Sequence, residues 1–236
     1  LLRQHKRIYF FSLILLTIIV WKCIPNVLAE KEITNEKSSR VILLDPGHGG
    51  IDGGAVSPTG TVEKHINLDI SNKLKSELEK QGFKVIMTRE EDKGLYSDSG
   101  SVRQKKREDL SNRSKMITES NCDVFVSIHL NMFPQRKYYG AQVWYASNES
   151  SNKLANIIQS NLKAYIDNGN NRIEKPAKDE YRVLRNVGEI PAVLVECGFL
   201  SNEVEESKLK TDIYQEKIAK VIALSIQSYF EKLADS

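Results

Sequence analysis

Apolar residues along this chain fall into short runs separated by amphipathic stretches. Val41 to Leu44, Lys84 to Thr88, Val124 to Ile128, Ala141 to Ala146 and Ala192 to Val195 are β-branched-rich and bounded by Gly, Pro or Asp, which predicts strands. The unbroken apolarity of the first, third and fifth predicts burial on both faces. Between them, Ile66, Ile70, Leu74 and Leu78 recur at helical spacing, with Gly82 as the cap. Leu154, Ile157, Ile158 and Leu162, then Tyr214, Ile218, Ile222, Ile226 and Phe230, repeat that spacing. Strand and helix alternate without an internal repeat or a second domain boundary. The expected class is therefore α/β, a single domain with an open, twisted, mostly parallel sheet flanked by helices on both faces.

The first forty residues break this pattern. Arg3, Lys6 and Arg7 precede an apolar run from Ile8 to Trp21, followed by Lys22, Pro25 and Val27-Leu28-Ala29. A basic stretch, a short apolar stretch and a small-residue site make residues 1–29 a signal peptide, cut after Ala29, or else an N-terminal membrane anchor. As a helix the apolar run covers about 21 Å of a hydrocarbon layer roughly 30 Å thick, which favours cleavage. Cys23 follows no lipobox. Residues 30–40 are polar and read as a tether, so the folded body is expected over 41–236, exported across the cytoplasmic membrane.

Composition bears on what that body does. The chain has 236 residues, 40% hydrophobic and 28% charged, enough for a real core. Its formal charge of +3 comes from the leader, which carries four of the 34 basic residues and no acidic one, leaving 30 against 31. A near-neutral body argues against nucleic-acid binding. Beyond the leader only Cys122 and Cys197 remain, too few for a disulfide framework.

The polar residues that carry chemistry follow the buried strands. The first runs into Asp45-Pro46-Gly47-His48-Gly49-Gly50, the third into His129-Leu130-Asn131, the fifth into Glu196-Cys197-Gly198. In a parallel sheet these share the rim where ligands bind. Two imidazoles and a carboxylate make a hydrolytic zinc site with an open position for water, and a second carboxylate serves as base. Glu63, in the first turn of a helix opened by Thr61, and Glu196, on a rigid strand end, both qualify.

These segments, together with Ser127-Ile128-His129-Leu130-Asn131 and Pro191 to Phe199, resemble the zinc-dependent N-acetylmuramoyl-L-alanine amidases of the amidase 3 family, from about Val41 to Leu233. The resemblance implies one zinc ion per chain on His48, Glu63 and His129, with Glu196 as the catalytic carboxylate. It implies hydrolysis of the amide between the lactyl group of N-acetylmuramic acid and L-alanine of peptidoglycan stem peptides. Only Met132 to Tyr139 separate Asn131 from Gly140, too little for the zinc-blocking helix of some members. A leader plus a bare catalytic domain is similar to the germination-specific amidase of endospore formers, acting in spore cortex to allow muramic-δ-lactam formation. A vegetative cell-wall amidase is the alternative. Lack of a wall-binding module implies an accessory protein for targeting or activation.

Other readings compete. Gly47 to Gly54 fails the dinucleotide spacing at Asp52. Cys197 is either a nucleophile of a cysteine hydrolase or a small buried residue. A wall-binding module without catalysis is a third class. Asp45 either orients His48 or terminates its strand. Asn131 and Arg185 are placed by position alone to touch glycan or peptide. His65 is expected at the surface, and Arg103, Lys105, Lys106 and Arg107 as a solvated helix start or a contact to anionic wall polymer.

Overall fold

A computed structural model describes residues 39–235; the leader, 1–29, and tether residues 30–38 lie outside the described residues. Among the described residues no helix is long and apolar enough to cross a membrane. Six strands form one sheet: β1 (Val41–Pro46), β2 (Lys84–Met87), β3 (Val124–Asn131), β4 (Gln142–Tyr145), β5 (Lys175–Pro176) and β6 (Ala192–Phe199). Their order is β2-β1-β3-β6-β4-β5. The first four are parallel, β4 runs antiparallel to β6, and β5 runs parallel to β4. The expected open, mostly parallel sheet is what forms.

Alternation along the strands divides the core into two faces. Ile42, Leu44, Val126, Ile128, Val193 and Val195 point to one face, covered by α1 (Glu63–Lys80), α3 (Glu149–Tyr165) and α5 (Asp212–Ala234). The apolar stripes of these helices, such as Ile66, Ile70, Leu74 and Leu78, are fully or almost fully buried. Each such side chain contributes about 1.5–3 kcal/mol on leaving water. Leu43, Phe125 and Leu194 point to the other face, which is covered by Ile117 of α2 (Val102–Glu119) and a 3-10 turn at Arg182–Leu184. A short α4 (Glu203–Leu209) follows β6.

The differences from the expected elements have physical causes. Helix α2 carries little apolar periodicity because its buried face is Asp109, Arg113 and Ile117, a helical period written mostly in charge. Helix α1 begins at Glu63 behind Val62, without a side-chain cap, rather than being opened by Thr61. The Thr61 hydroxyl donates instead to Glu206 of α4, 2.5 Å away. Arg40, placed in the tether by its polarity, already belongs to the body: it pairs with Asp123 at 2.7 Å and stacks on Phe230.

Asp45 sits on the α2 face and is 1% exposed. Its carboxylate accepts Thr88 Oγ1 (2.7 Å), Ser127 Oγ (2.7 Å) and Arg113 Nη1 (2.5 Å). Burial alone would raise its pKa, but the Arg113 charge and the hydroxyl hydrogen bonds outweigh it and hold the group below the ordinary value. Arg113→Met strands this carboxylate, and urea denaturation should show a loss of about 3–5 kcal/mol, with less in the Asp45→Asn/Arg113→Met double variant. Because the folded-state pKa is the lower one, Asp45's contribution is complete above the ordinary 3.8 and disappears as pH falls below it. Acid unfolding followed by circular dichroism should lose that component in Asp45→Asn.

Candidate metal centre

The turn leaving β1 bends sharply. His48 lies in the left-handed region at φ +62°, where an L residue pays roughly 1–2 kcal/mol. Buried guanidinium groups hold it there. Arg113 Nη2 donates to His48 O (2.6 Å) and Nη1 to Pro46 O (2.9 Å). Arg89 donates to Pro46 O (2.9 Å), Gly47 O (3.0 Å) and Lys64 O (2.8 Å). Gly47 passes so close to the His129 imidazole, and Gly54 so close to Glu63 and His48, that a Cβ at either would overlap them.

Glu63 forms the centre. It opens α1, where the helix dipole favours an anion, and is 3% exposed. Its Oε1 accepts Leu130 N (3.0 Å) and Asn67 Nδ2 (3.1 Å), and its Oε2 accepts Ala55 N (2.8 Å). The same Oε1 lies 3.0 Å from His129 Nδ1 and 3.3 Å from His48 Nε2. The two rings meet edge to face, with centroids 4.9 Å apart.

On its other side, His48 Nδ1 is 2.9 Å from Asp52, and Asp52 accepts Lys106 Nζ at 2.7 Å. Burial works against a charged His48, but hydrogen bonds to Asp52 and Glu63 prevail and raise its pKa to about 9. Burial likewise opposes a charged Glu63, and the two imidazoles overcome it, holding the carboxylate well below its usual range. The carboxylate orienting His48 is thus Asp52, on the same turn, while Asp45 faces Arg113.

His48, Glu63 and His129 each offer a ligand atom, all within 4.8 Å of one another. Donors about 2.0–2.1 Å from a tetrahedral centre stand roughly 3.3 Å apart, so the group fits a divalent cation. Among the described residues it is the one such group identified.

Glu196 is brought abreast of this group by strand register, as the Cα partner of His129. It is 6% exposed; Oε1 accepts the Tyr181 hydroxyl at 3.2 Å, while buried Oε2 has no partner among the described residues. Burial, helped by the Glu63 charge, raises its pKa to about 7 against the pull of His129, Tyr181 and His48. The two carboxylates that the sequence left interchangeable are separated here: one is locked as an anion between imidazoles, the other is poised to exchange a proton near neutrality.

Other residues fall as follows. Asn131 ends β3, half-buried, with its carbonyl accepting Leu200 N. Arg185 is exposed and bonds Asp179, in a cleft with Ser147, Asn148 and Gly188, and makes no contact with the cluster. His65 is exposed. Cys197 points into the helix-covered core, its Sγ 3.7 Å from Val195 O, and burial, with the Glu196 and Glu63 charges, pushes its thiol pKa up. A nucleophile needs the opposite. Lys106 serves Asp52 rather than standing free. Sequence reasoning missed Asp52, Asn67, Arg89 and Tyr181; of these only Asp52, four residues after His48, carried a signal.

Known proteins resemble the chain in sequence and fold. The family described as N-acetylmuramoyl-L-alanine amidase matches residues 42–228. The germination-specific N-acetylmuramoyl-L-alanine amidase of Bacillus subtilis (strain 168) is 39% identical over 200 residues, 84% of this chain and 83% of that protein. The probable cell wall amidase LytH of Staphylococcus epidermidis is 31% identical over 216 residues, and there the match takes in 65% of the relative's length. In fold, the chain is similar to the CwlD amidase of Clostridioides difficile, solved in complex with the GerS lipoprotein. That match has a TM-score of 0.79 and 48% identity, covering 82% of this chain and 99% of that one.

A cation entering the cluster must displace the proton that His48 holds up to about pH 9. Calorimetric titration in buffers of different ionisation enthalpy should show proton release below that pH and affinity falling as pH falls. Asp52→Asn should weaken metal affinity by about 10–100-fold with the fold intact.

Proposed function

The chain belongs to the N-acetylmuramoyl-L-alanine amidase family, and from that premise we propose that it is a zinc enzyme with His48, Glu63 and His129 as ligands and Glu196 as the catalytic acid-base. The observation that carries this reading is Glu196 standing abreast of His129 in the next strand, protonatable near neutrality, beside a locked His-Glu-His group. The substrate is peptidoglycan, and the bond is the amide joining the lactyl group to L-alanine.

His48, Glu63 and His129 would hold the zinc, which would supply Lewis acidity to polarise the amide carbonyl and acidify water. Glu196 Oε2 accepts a proton as water oxygen bonds to the carbonyl carbon. Tyr181 keeps the Glu196 carboxylate in one orientation by donating to its Oε1. Glu196 then returns the proton to nitrogen as the carbon–nitrogen bond breaks. The products are a lactyl carboxylate and a peptide with a free amino end. Asp52 and Lys106 keep His48 turned toward the ligand centre.

The finer assignment is spore cortex, supported by similarity to the germination-specific relative of B. subtilis. Residues 1–29 act as export signal or anchor, residues 30–39 as tether, and the catalytic domain, which takes in Arg40, follows. A lipoprotein-type accessory partner is proposed because the similar CwlD amidase was solved with GerS.

Mass analysis of products from purified cortex and vegetative peptidoglycan tests the substrate assignment; release of intact stem peptides from cortex is expected, and cleavage of vegetative wall alone would replace the cortex assignment. Glu196→Gln should retain metal content while kcat falls by about 10²–10⁴. His129→Ala should lose both. Tyr181→Phe should lower kcat by about tenfold with metal content unchanged. Chelator dialysis should abolish turnover and zinc restore it, with thiol alkylation having no effect.

A further inference from the structure

Past the catalytic rim, the loop leaving β3 exposes Phe133 and Tyr138, which pack on each other with ring centroids 5.5 Å apart. Both also lie against buried Phe199, at 5.9 and 6.4 Å. The Arg172 guanidinium covers Phe199 at 4.5 Å from the ring centroid, and Lys137 Nζ stands 5.7 Å from that of Tyr138. Lys137, Tyr138, Tyr139, Asn170, Asn171 and Arg172 enclose a depression of about 260 Å³.

Its two walls are fixed to one another. Arg172 Nε donates to Tyr139 O (2.8 Å), Asn170 Nδ2 to Ala141 O (2.9 Å) and the Tyr139 hydroxyl to Gly169 O (3.3 Å). From below, Asn202 donates to Arg136 O and Tyr138 O. Glu205 has its oxygens committed to the N–H groups of Gly140 and Phe199, and no carboxylate lines the depression. Neither Arg172 nor Lys137 is in an ion pair among the described residues; the buried Glu205 carboxylate acts on Arg172 only through space, and burial outweighs it.

We infer that this depression is a subsite for a stem-peptide carboxylate, with Arg172 and Lys137 as its cationic walls and the aromatic residues as its floor. The inference rests on the amidase reading. Phe199 lies three residues beyond Glu196 on the same strand, roughly 10 Å at strand rise. An extended peptide has the same rise, so a carboxylate two or three residues from the scissile amide reaches the subsite. A guanidinium presents a planar fork to a carboxylate, and a preorganised pocket binds without an ordering cost.

The test uses the zinc-loaded full chain carrying Glu196→Gln and two muramoyl peptides that differ only in one stem residue, free carboxylate against carboxamide. Calorimetry should show the carboxylate form bound about tenfold tighter at low salt. Adding Arg172→Met should erase that preference while leaving carboxamide affinity unchanged, and Arg172→Lys should keep part of it. Circular dichroism and metal content confirm that each variant is folded. Equal affinities with Arg172 present, a preference that survives Arg172→Met, or an equal weakening of both peptides would each overturn the inference. So would glycerol phosphate binding that depends on Arg172 without any carboxylate preference, which marks a wall-polymer site. Cleavage is scored separately with Glu196 intact: if neither peptide is cut, the amidase reading fails whatever the binding shows.

Discussion

Everything in the site depends on two buried guanidinium groups holding a strained turn. Where β1 ends, the carbonyls of Pro46, Gly47 and His48 turn into the protein, away from water. Unmet, each would cost about 1–3 kcal/mol. Arg89 and Arg113 satisfy them, and Asp45 and Asp109 balance the Arg113 charge. The clamp fixes His48 in a left-handed conformation that it would otherwise leave, and so aims its imidazole at Glu63.

With that turn in place, three separate parts of the backbone converge at the carboxyl edge of the sheet. The turn after β1 contributes His48, the first residue of α1 contributes Glu63 and β3 contributes His129. Glu63 binds the arrangement together because it also accepts main-chain N–H groups from Ala55 and Leu130, so the carboxylate offered to a metal doubles as a fold contact. Glu196 has the opposite surroundings. Among the described residues its one hydrogen bond comes from a neutral hydroxyl, its other oxygen has no partner, and burial dominates. Two glutamates of identical chemistry acquire opposite protonation behaviour from desolvation against paired charge.

Much of the architecture was legible. Buried parallel strands need continuous apolar runs, and β1, β3 and β6 show them. Helices packed on a sheet need apolar stripes, and α1, α3 and α5 show them. Helix α2 escaped because it approaches the sheet through Arg113, so its inward face is polar in sequence. The ends of β1, β3 and β6 exposed His48, His129 and Glu196 to sequence reasoning because a parallel sheet collects its carboxyl ends on one rim. Tyr181, Arg89 and Asn67 were invisible, since each meets the site only through contacts distant in sequence or through a partner whose role was not yet known.

The amino-acid order by itself determined the buried strands, the helices with apolar stripes, the mostly parallel sheet and the residues offered to a metal, because periodicity and strand-end chemistry are local properties. Tertiary structure decided which acid orients His48, which glutamate is held ionised and which has its pKa raised toward neutrality, and that Cys197 faces the core. Those outcomes depend on burial and on charges a few ångströms away in space, and neither distance nor desolvation is written in the linear spacing of residues.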